Sequence, residues 1–423
     1  MNGENILIIG AGASGLMVAR ELARAGRRVT VLEAKEKVGG RILDIPSGNN
    51  SNPIMLGAEF IHGNAELTLS LLKEAGISYS NISGRSYFSK NGSLEEYESD
   101  QDFWPEFNEK LQLLSQDVSL KQFLDTHFKD EKHNYLRESV LRFAEGYDAA
   151  DANRVSVLSL KKEWEQSDED SQYRIDGGYS GLINYLEQDC IANGVLIIPN
   201  KIVSHFNWSR GFVEAITSDG ERYAGRKAII TLSLGVLQIK DGSLGLVNFA
   251  PPLPIRMGAI RSMGFGSVIK VVLQFEKPFW PEDAGFIFSK EAIPVWWTQN
   301  PDPSPILTGW LAGPKVQKFA DKPESELVDI AINTLSKIFS QSADSISANL
   351  KAAHACNWAN NPFSRGAYTY TTVDEPNAAA LLGNPVQGTL YFSGEGIYNG
   401  PHVGTVEAAL ISGKETAAKV LAS

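Results

Sequence analysis

Along the first 33 residues the hydrophobic pattern changes from an unbroken run to a helical spacing and back. Residues 6–9 are all apolar, Leu16, Ala19, Leu22 and Ala23 recur at helical spacing, and residues 29–32 form a second run that ends on Glu33. This predicts strand, helix, strand. Gly10, Gly12, Ser14 and Gly15 occupy the first junction. There Gly10 permits the turn, Gly12 lets backbone approach a pyrophosphate, and Gly15 lets the helix lie close to the strand. The helix N terminus points free N–H groups at phosphates. Glu33, followed by Ala34, stands 18 residues after Gly15, where a carboxylate accepts the hydrogen bonds of an adenosine ribose diol. A dinucleotide site is expected.

Further on, residues 65–165 carry leucines and phenylalanines at roughly helical spacing and predict a mostly helical insertion. Residues 174–181 read as a turn feeding a helix from about Leu182. Residues 195–198, 202–206, 212–218 and 221–232 alternate as strands, with hairpin turns at 209–211 and 218–220. Pro251, Pro252 and Pro254 mark a boundary. Strands are expected at 269–275 and 285–288 and a helix at 324–339, and residues 390–423 return to the opening domain.

At 423 residues the chain fits two domains. A formal net charge of −11 and a pI near 5.2 argue against nucleic acid and favour cationic ligands. Two acidic groups, Glu95, Glu96, Glu98, Asp100, Asp102, Glu106 and Glu109, then Glu163, Glu165, Asp168, Glu169 and Asp170, read either as solvated faces or as an approach for cations. Cys190 and Cys356 show no metal or disulfide spacing, and no metal is expected. No apolar stretch is long enough to span a membrane. The first strand begins within five residues of Met1, which leaves no room for a cleaved leader, so a cytoplasmic protein is expected.

Lys270 lies inside an apolar run, Val268 to Phe275 with only Gln274 for company. A buried ammonium needs partners. Either this is an edge strand with Lys270 and Gln274 facing water, or the lysine has a chemical task.

The GAGASGL turn, the Gly39-Gly40-Arg41 segment after Glu33, and Leu56-Gly57-Ala58-Glu59-Phe60-Ile61-His62-Gly63 resemble the opening of the flavin-containing amine oxidases. The resemblance implies an α/β fold. A discontinuous Rossmann-like FAD-binding domain would take residues 1–64, 194–245 and 385–423. An α+β substrate-binding domain with a helical insertion would take 65–193 and 246–384. In that family Gly40 and Arg41 reach the FAD phosphates, and Gly57, Ala58 and Glu59 lie beside the isoalloxazine. Val203 matches a valine whose backbone contacts adenine. The segment 231–237 resembles T-x-P-L-G-V-L with Ser233 in place of proline. The resemblance also makes Lys270 the lysine that holds a water against the flavin N5. Trp358 and Tyr368 become aromatic walls, Tyr368 matching one of two cage positions. Gly394 and Glu395 fall by the FAD diphosphate, and Thr405 and Val406 at a helix start against the ring. Ala367 stands where monoamine oxidases carry a flavin-bonded cysteine, so the FAD is expected to be non-covalent. His402 falls at or next to the second cage position, and His62 matches the polyamine-oxidising branch. The function implied is oxidation of an amine, a polyamine above a monoamine, to an imine that hydrolyses to aldehyde and amine, with O2 reduced to H2O2. An L-amino-acid oxidase would need an arginine such as Arg137 or Arg142 to grip a carboxylate. A desaturase-like flavoprotein and a catalytically silent flavin-binding scaffold are the other readings.

Overall fold

The computed structural model describes residues 5–47, 53–97, 104–166 and 172–423. Its parallel sheet has the spatial order Leu196–Ile198, Val29–Leu32, Ile6–Ile9, Lys227–Ile230, Leu390–Phe392. The strands are apolar throughout because both faces are covered. Ile6, Ile8, Val29, Val31 and Ile229 face one layer, made by the helices Ala13–Arg24, Glu66–Ala75, Ser180–Ala192 and Val406–Leu421. Leu7, Ile9, Ala228, Ile230 and Phe392 face the other, which contains an antiparallel sheet (Val203–Ser209, Phe212–Thr217, Arg222–Gly225) and the helix Pro254–Ser262. The chain leaves Ile6–Ile9 toward one edge and later adds strands on the other side. A crevice therefore opens at the carboxyl end of that strand, where ligands bind in such sheets.

A seven-stranded sheet follows the order Leu350–Asn357, Val268–Phe275, Ile306–Ala312, Val295–Trp297, Ala284–Phe288, Arg85–Lys90, Ser93–Glu96. The helix Glu324–Phe339 covers it through Leu327, Ala331, Leu335 and Ile338. Four helices (Trp104–Gln112, Leu120–His127, Asn134–Gly146 and Val157–Gln166) close around Phe107, Phe123, Phe128 and Val140.

Several expectations need correction. The stretch 65–165 is not mostly helical at its start. After the helix Glu66–Ala75 come the strands Tyr79–Asn81, Arg85–Lys90 and Ser93–Glu96. Lys90 pairs with Ser93 across Asn91-Gly92, both at positive φ, the two-residue hairpin that an Asn-Gly pair favours. The expected strand 221–232 is two strands in different sheets, broken at Gly225, where an added Cβ would lie 2.7 Å from the Asn5 carbonyl oxygen. The helices Glu66–Ala75 and Ser180–Ala192 pack into the parallel-sheet core through Leu71, Leu72, Leu182, Ile183 and Leu186. Lys270 is in an interior strand, paired on both sides, and both it and Gln274 are buried, which removes the edge-strand alternative.

Candidate functional site

The dinucleotide turn is built as its glycines require. A Cβ on Gly15 would sit 2.0 Å from the Gly10 carbonyl oxygen, and Gly10 itself holds a φ of +107°. Gly12 starts the first helix with no side-chain cap and no acidic residue in the first turn, so its leading N–H groups are open to an anion. Gly12 bridges Gly39 and faces the Cα of Gly40, which brings the second glycine segment over the first. The buried Glu33 carboxylate accepts the Ala11 N–H at 2.6 Å and the Lys35 N–H at 2.9 Å. Each oxygen keeps a further lone pair for a ribose hydroxyl. Ala34 is half-buried beside it, and Val203 lies two residues beyond Lys201, whose N–H donates to the Glu33 carbonyl. Ser14 joins this end of the sheet to the final helix through Ser393 at 2.9 Å and Ser412 beyond it, and Ser412 also accepts the Gly394 N–H. Such a cradle suits the ribose and pyrophosphate of FAD.

From there contacts run continuously inward. Arg41 donates to Glu395 at 2.7 Å and to the Ala367 carbonyl. Leu56, Gly57 and Ala58 bond back to residues 41 and 43, so closely that a Cβ on Gly57 would be 2.0 Å from the Arg41 carbonyl oxygen. Trp358 is buried and donates to the Leu56 carbonyl at 2.9 Å. Thr405 caps the final helix by accepting the Ala408 N–H, with Val406 the first helical residue. Ser233 uses its hydroxyl on the Ser364 carbonyl and on the Val236 N–H, a local role for a departure from the family pattern.

Lys270 is 1% exposed and donates to Glu59 at 2.6 Å and to the Gly57 carbonyl at 3.1 Å. Glu59 also takes Arg174 at 3.0 Å and the Trp297 indole N–H at 2.9 Å. Burial pushes the Glu59 carboxyl up, but the Lys270 and Arg174 charges outweigh it and hold the group below its ordinary range. Arg174 is further occupied by the Thr298 and Asn300 carbonyls. Glu59 is thus the centre of a buried ionic cluster, a role its place in the motif did not reveal. Arg174 and Trp297 were missed because each comes from a strand distant in sequence.

An aromatic wall extends from this cluster. Phe60 packs on Trp297 at 5.3 Å and on His62 at 6.0 Å. His62 Nδ1 lies 3.2 Å from the Tyr147 hydroxyl, and the Tyr147 carbonyl accepts the Tyr368 hydroxyl. Burial pushes the His62 imidazole down to about 4, so it is neutral near pH 7. Tyr368 is bordered by Gly404, where a Cβ would be 3.1 Å from its ring, while His402 stacks on Tyr398 at 6.5 Å. Arg137 is tied to Asp125 and the Leu124 carbonyl, and Arg142 to Ser139 with its guanidinium over Phe88. Neither forms the carboxylate grip that an L-amino-acid oxidase would need.

Glu95, Glu96 and Glu165 make exposed polar contacts with Lys90, Arg85 and Gln112, and Glu106 meets the buried His133. Glu98, Asp100, Asp102, Asp168, Glu169 and Asp170 lie outside the described residues. Burial raises Cys356 to about 11 and Cys190 to about 12, which leaves both thiols protonated near neutral pH. Among the described residues no group of three or more His, Cys, Asp or Glu could hold a metal, and no helix is long and apolar enough to cross a membrane.

In sequence the chain is 26% identical to lysine-specific histone demethylase 1 homolog 3 of Arabidopsis thaliana over 99% of its own length and 30% of the relative's. It is 27% identical to polyamine oxidase 4 of Oryza sativa subsp. japonica, covering 97% and 87%. The chain spans 30–57% of the length of the histone-demethylase relatives it matches. The fold is similar to that of putrescine oxidase bound to putrescine, with a TM-score of 0.81, 21% identity and 99% of both chains covered. The family model for flavin-containing amine oxidoreductases matches residues 13–421, and the chain belongs to that family.

Proposed function

We propose that this chain is an amine oxidase with non-covalently held FAD, converting an amine to an imine that hydrolyses to aldehyde and amine, with O2 as acceptor. The observation that carries the reading is the buried Lys270–Glu59 pair, joined through residues 56–58 to the Arg41–Glu395 pair of the dinucleotide crevice. When bound, FAD would supply the two-electron oxidation of the carbon beside the amine nitrogen, with O2 as the final acceptor.

The protein's own part is placement and proton control. Gly10, Gly12, Gly15, Gly40 and Arg41 hold the diphosphate and Glu33 the ribose. The start of the final helix, at Thr405 and Val406, offers N–H groups that would stabilise negative charge on a bound flavin. Lys270 orders a water and moves a proton, and Glu59, Arg174 and Trp297 fix where its ammonium points. Trp358 and Tyr368 shape an apolar slot, and neutral His62 accepts or donates a hydrogen bond at its rim. His402 lines the side near Tyr398. Ala367 offers no sulfur for a covalent bond. The acidic balance of the chain supports small cationic molecules rather than nucleic acid as its ligands, and the enzyme is taken to work in the cytoplasm.

The cradle itself is testable. In Gly15→Ala, the new methyl meets the Gly10 carbonyl oxygen, and relieving that overlap costs about 1–3 kcal/mol. Purified Gly15→Ala is expected to carry about tenfold less flavin than wild type at equal protein concentration. A full complement of flavin would show that the turn does not bind the cofactor.

The class of reaction is tested by anaerobic titration of the yellow protein with spermidine, a simple monoamine, a peptide carrying methylated lysine and an L-amino acid, following the flavin band near about 450 nm. Bleaching by an amine and not by the amino acid is expected. Bleaching by the amino acid alone would overturn the reading. The histone-demethylase relatives favour a second one, an N-methylated lysine side chain as the amine, and bleaching by the peptide alone would select it.

A further inference from the structure

A buried carboxylate outside the proposed mechanism joins the flavin-facing helix to the segment that carries His62. Glu407 is the second residue of the final helix, Val406–Leu421, and is 4% exposed. Both of its oxygens are directed onto another helix. Oε1 accepts the Leu67 N–H at 2.9 Å, and Oε2 accepts the Thr68 N–H at 2.7 Å and the Thr68 hydroxyl at 2.6 Å. Thr68 is itself buried.

These donors belong to the first turn of the helix Glu66–Ala75, whose cap position is Ala65, a residue with no side-chain acceptor. A helix start ordinarily takes its cap from Ser, Thr, Asp or Asn at that position. Here the acceptor comes from 340 positions away, and it is a carboxylate, which makes the stronger kind of hydrogen bond. Glu407 also lies in the first turn of its own helix, so two helix N termini meet at one carboxylate.

On one side of this clamp, Glu407 follows directly on Thr405 and Val406, the helix start that faces the flavin. On the other, the clamped turn begins four residues after His62, and the link between them is short and folded. Gly63 holds a φ of +60°, the Ala65 N–H donates to the Gly63 carbonyl, and the Glu66 N–H donates to the Asn64 carbonyl. The strand Phe60–His62 is tied separately at its start, where the Tyr179 hydroxyl donates to the Phe60 carbonyl at 3.3 Å. Its other end, with His62, is referred to the flavin-facing helix through Glu407.

We propose that Glu407 is a positioning residue for amine oxidation. By clamping the helix after His62 to the helix that faces the flavin, it fixes how far His62 stands from the ring and so the pose of the amine. The proposal rests on the amine-oxidase reading above and deepens it. A carboxylate that served stability alone would leave the pose unchanged when replaced.

Glu407→Gln keeps the size of the side chain but turns one acceptor into an NH2 group facing N–H donors, which loosens the clamp. The test is anaerobic reduction of the flavin-loaded protein by spermidine, benzylamine and a methylated-lysine peptide, together with the visible circular dichroism of the bound flavin. With the amine that reduces wild type, Glu407→Gln is expected to lower the limiting rate about tenfold and to change the amine Kd by less than about threefold, the split that a small displacement of reacting groups gives. The flavin dichroism is expected to change as well. In a His62→Ala background the same substitution is expected to cost about twofold or less, because residues that act through one another are non-additive. Thr68→Val keeps the shape and both N–H bonds and loses only the hydroxyl. It is expected to give a smaller loss of the same kind, about threefold, and it carries the test should Glu407→Gln not fold. A lowered urea midpoint with wild-type reduction and dichroism would make Glu407 a structural cap only and overturns the proposal. An equal loss in both His62 backgrounds overturns it too. If none of the amines reduces wild type, the amine-oxidase reading falls and this proposal with it, whereas a reducible wild type with either failure above brings down this proposal alone.

Discussion

Lys270→Met is expected to slow one of the two half-reactions, flavin reduction by amine or reoxidation by O2, by about a hundredfold, the usual contribution of a positioned proton donor or acceptor. Methionine keeps the length and most of the volume of the lysine stem, so Val268, Trp297 and the neighbouring strands stay packed. What it removes is the ammonium that donates to Glu59 and to the Gly57 carbonyl. Glu59 remains paired in the variant, because Arg174 and the Trp297 indole still reach it. The variant should therefore fold and load flavin, which isolates the chemical role from the structural one. Stopped-flow measurement of each half-reaction separates the possibilities. A loss confined to reoxidation assigns the ammonium to the O2 step, and a loss confined to reduction assigns it to proton movement at the amine. Unchanged rates in both would leave Lys270 as a structural lysine only.

How much of this was legible from the sequence depended on the range of the interaction. The glycine turn, Glu33 and the apolar strands are local patterns, and each reflects a nearby steric or solvation demand. Gly15 lies against the Gly10 carbonyl, and each strand of the parallel sheet is apolar on both faces because both are covered. Lys270 could be singled out because an ammonium in an apolar run demands a partner. Its partner could not be chosen from spacing. Glu59 is 211 positions from Lys270 and 115 from Arg174, and only the fold brings their strands together. The Asn91-Gly92 hairpin is also a local signal, but it falls between the two periodic runs from which the helical insertion is read.

Glu59→Gln is expected to have the largest effect on stability. Lys270 and Arg174 both lose their shared counter-charge in a site buried from bulk solvent. Breaking a buried pair by removing one partner costs about 3–5 kcal/mol, because the remaining charges stay desolvated. The glutamine can still accept the Trp297 indole N–H, so packing around Phe60 should survive and the loss should be electrostatic. Lys270→Met in the same protein removes one of the two stranded charges. The double variant is then expected to regain part of the loss, since Arg174 still has the Thr298 and Asn300 carbonyls. The pH dependence follows from the sign of the shift. The folded carboxyl of Glu59 titrates below its ordinary value, so its contribution is complete above the ordinary carboxylate range and disappears as pH falls through the lower, folded value. His62 acts in the same direction. Its imidazole takes up a proton in the unfolded chain near pH 6.5 but only near pH 4 in the folded one, so stability declines as pH drops through that window. Urea unfolding of wild type between neutral pH and pH 4 should therefore show a midpoint that falls with pH, and Glu59→Gln should start lower and fall less steeply at the acid end. A Glu59→Gln protein with the midpoint and acid slope of wild type would mean that the ionic cluster contributes nothing to folding, and Lys270 would then owe its position to the strand alone.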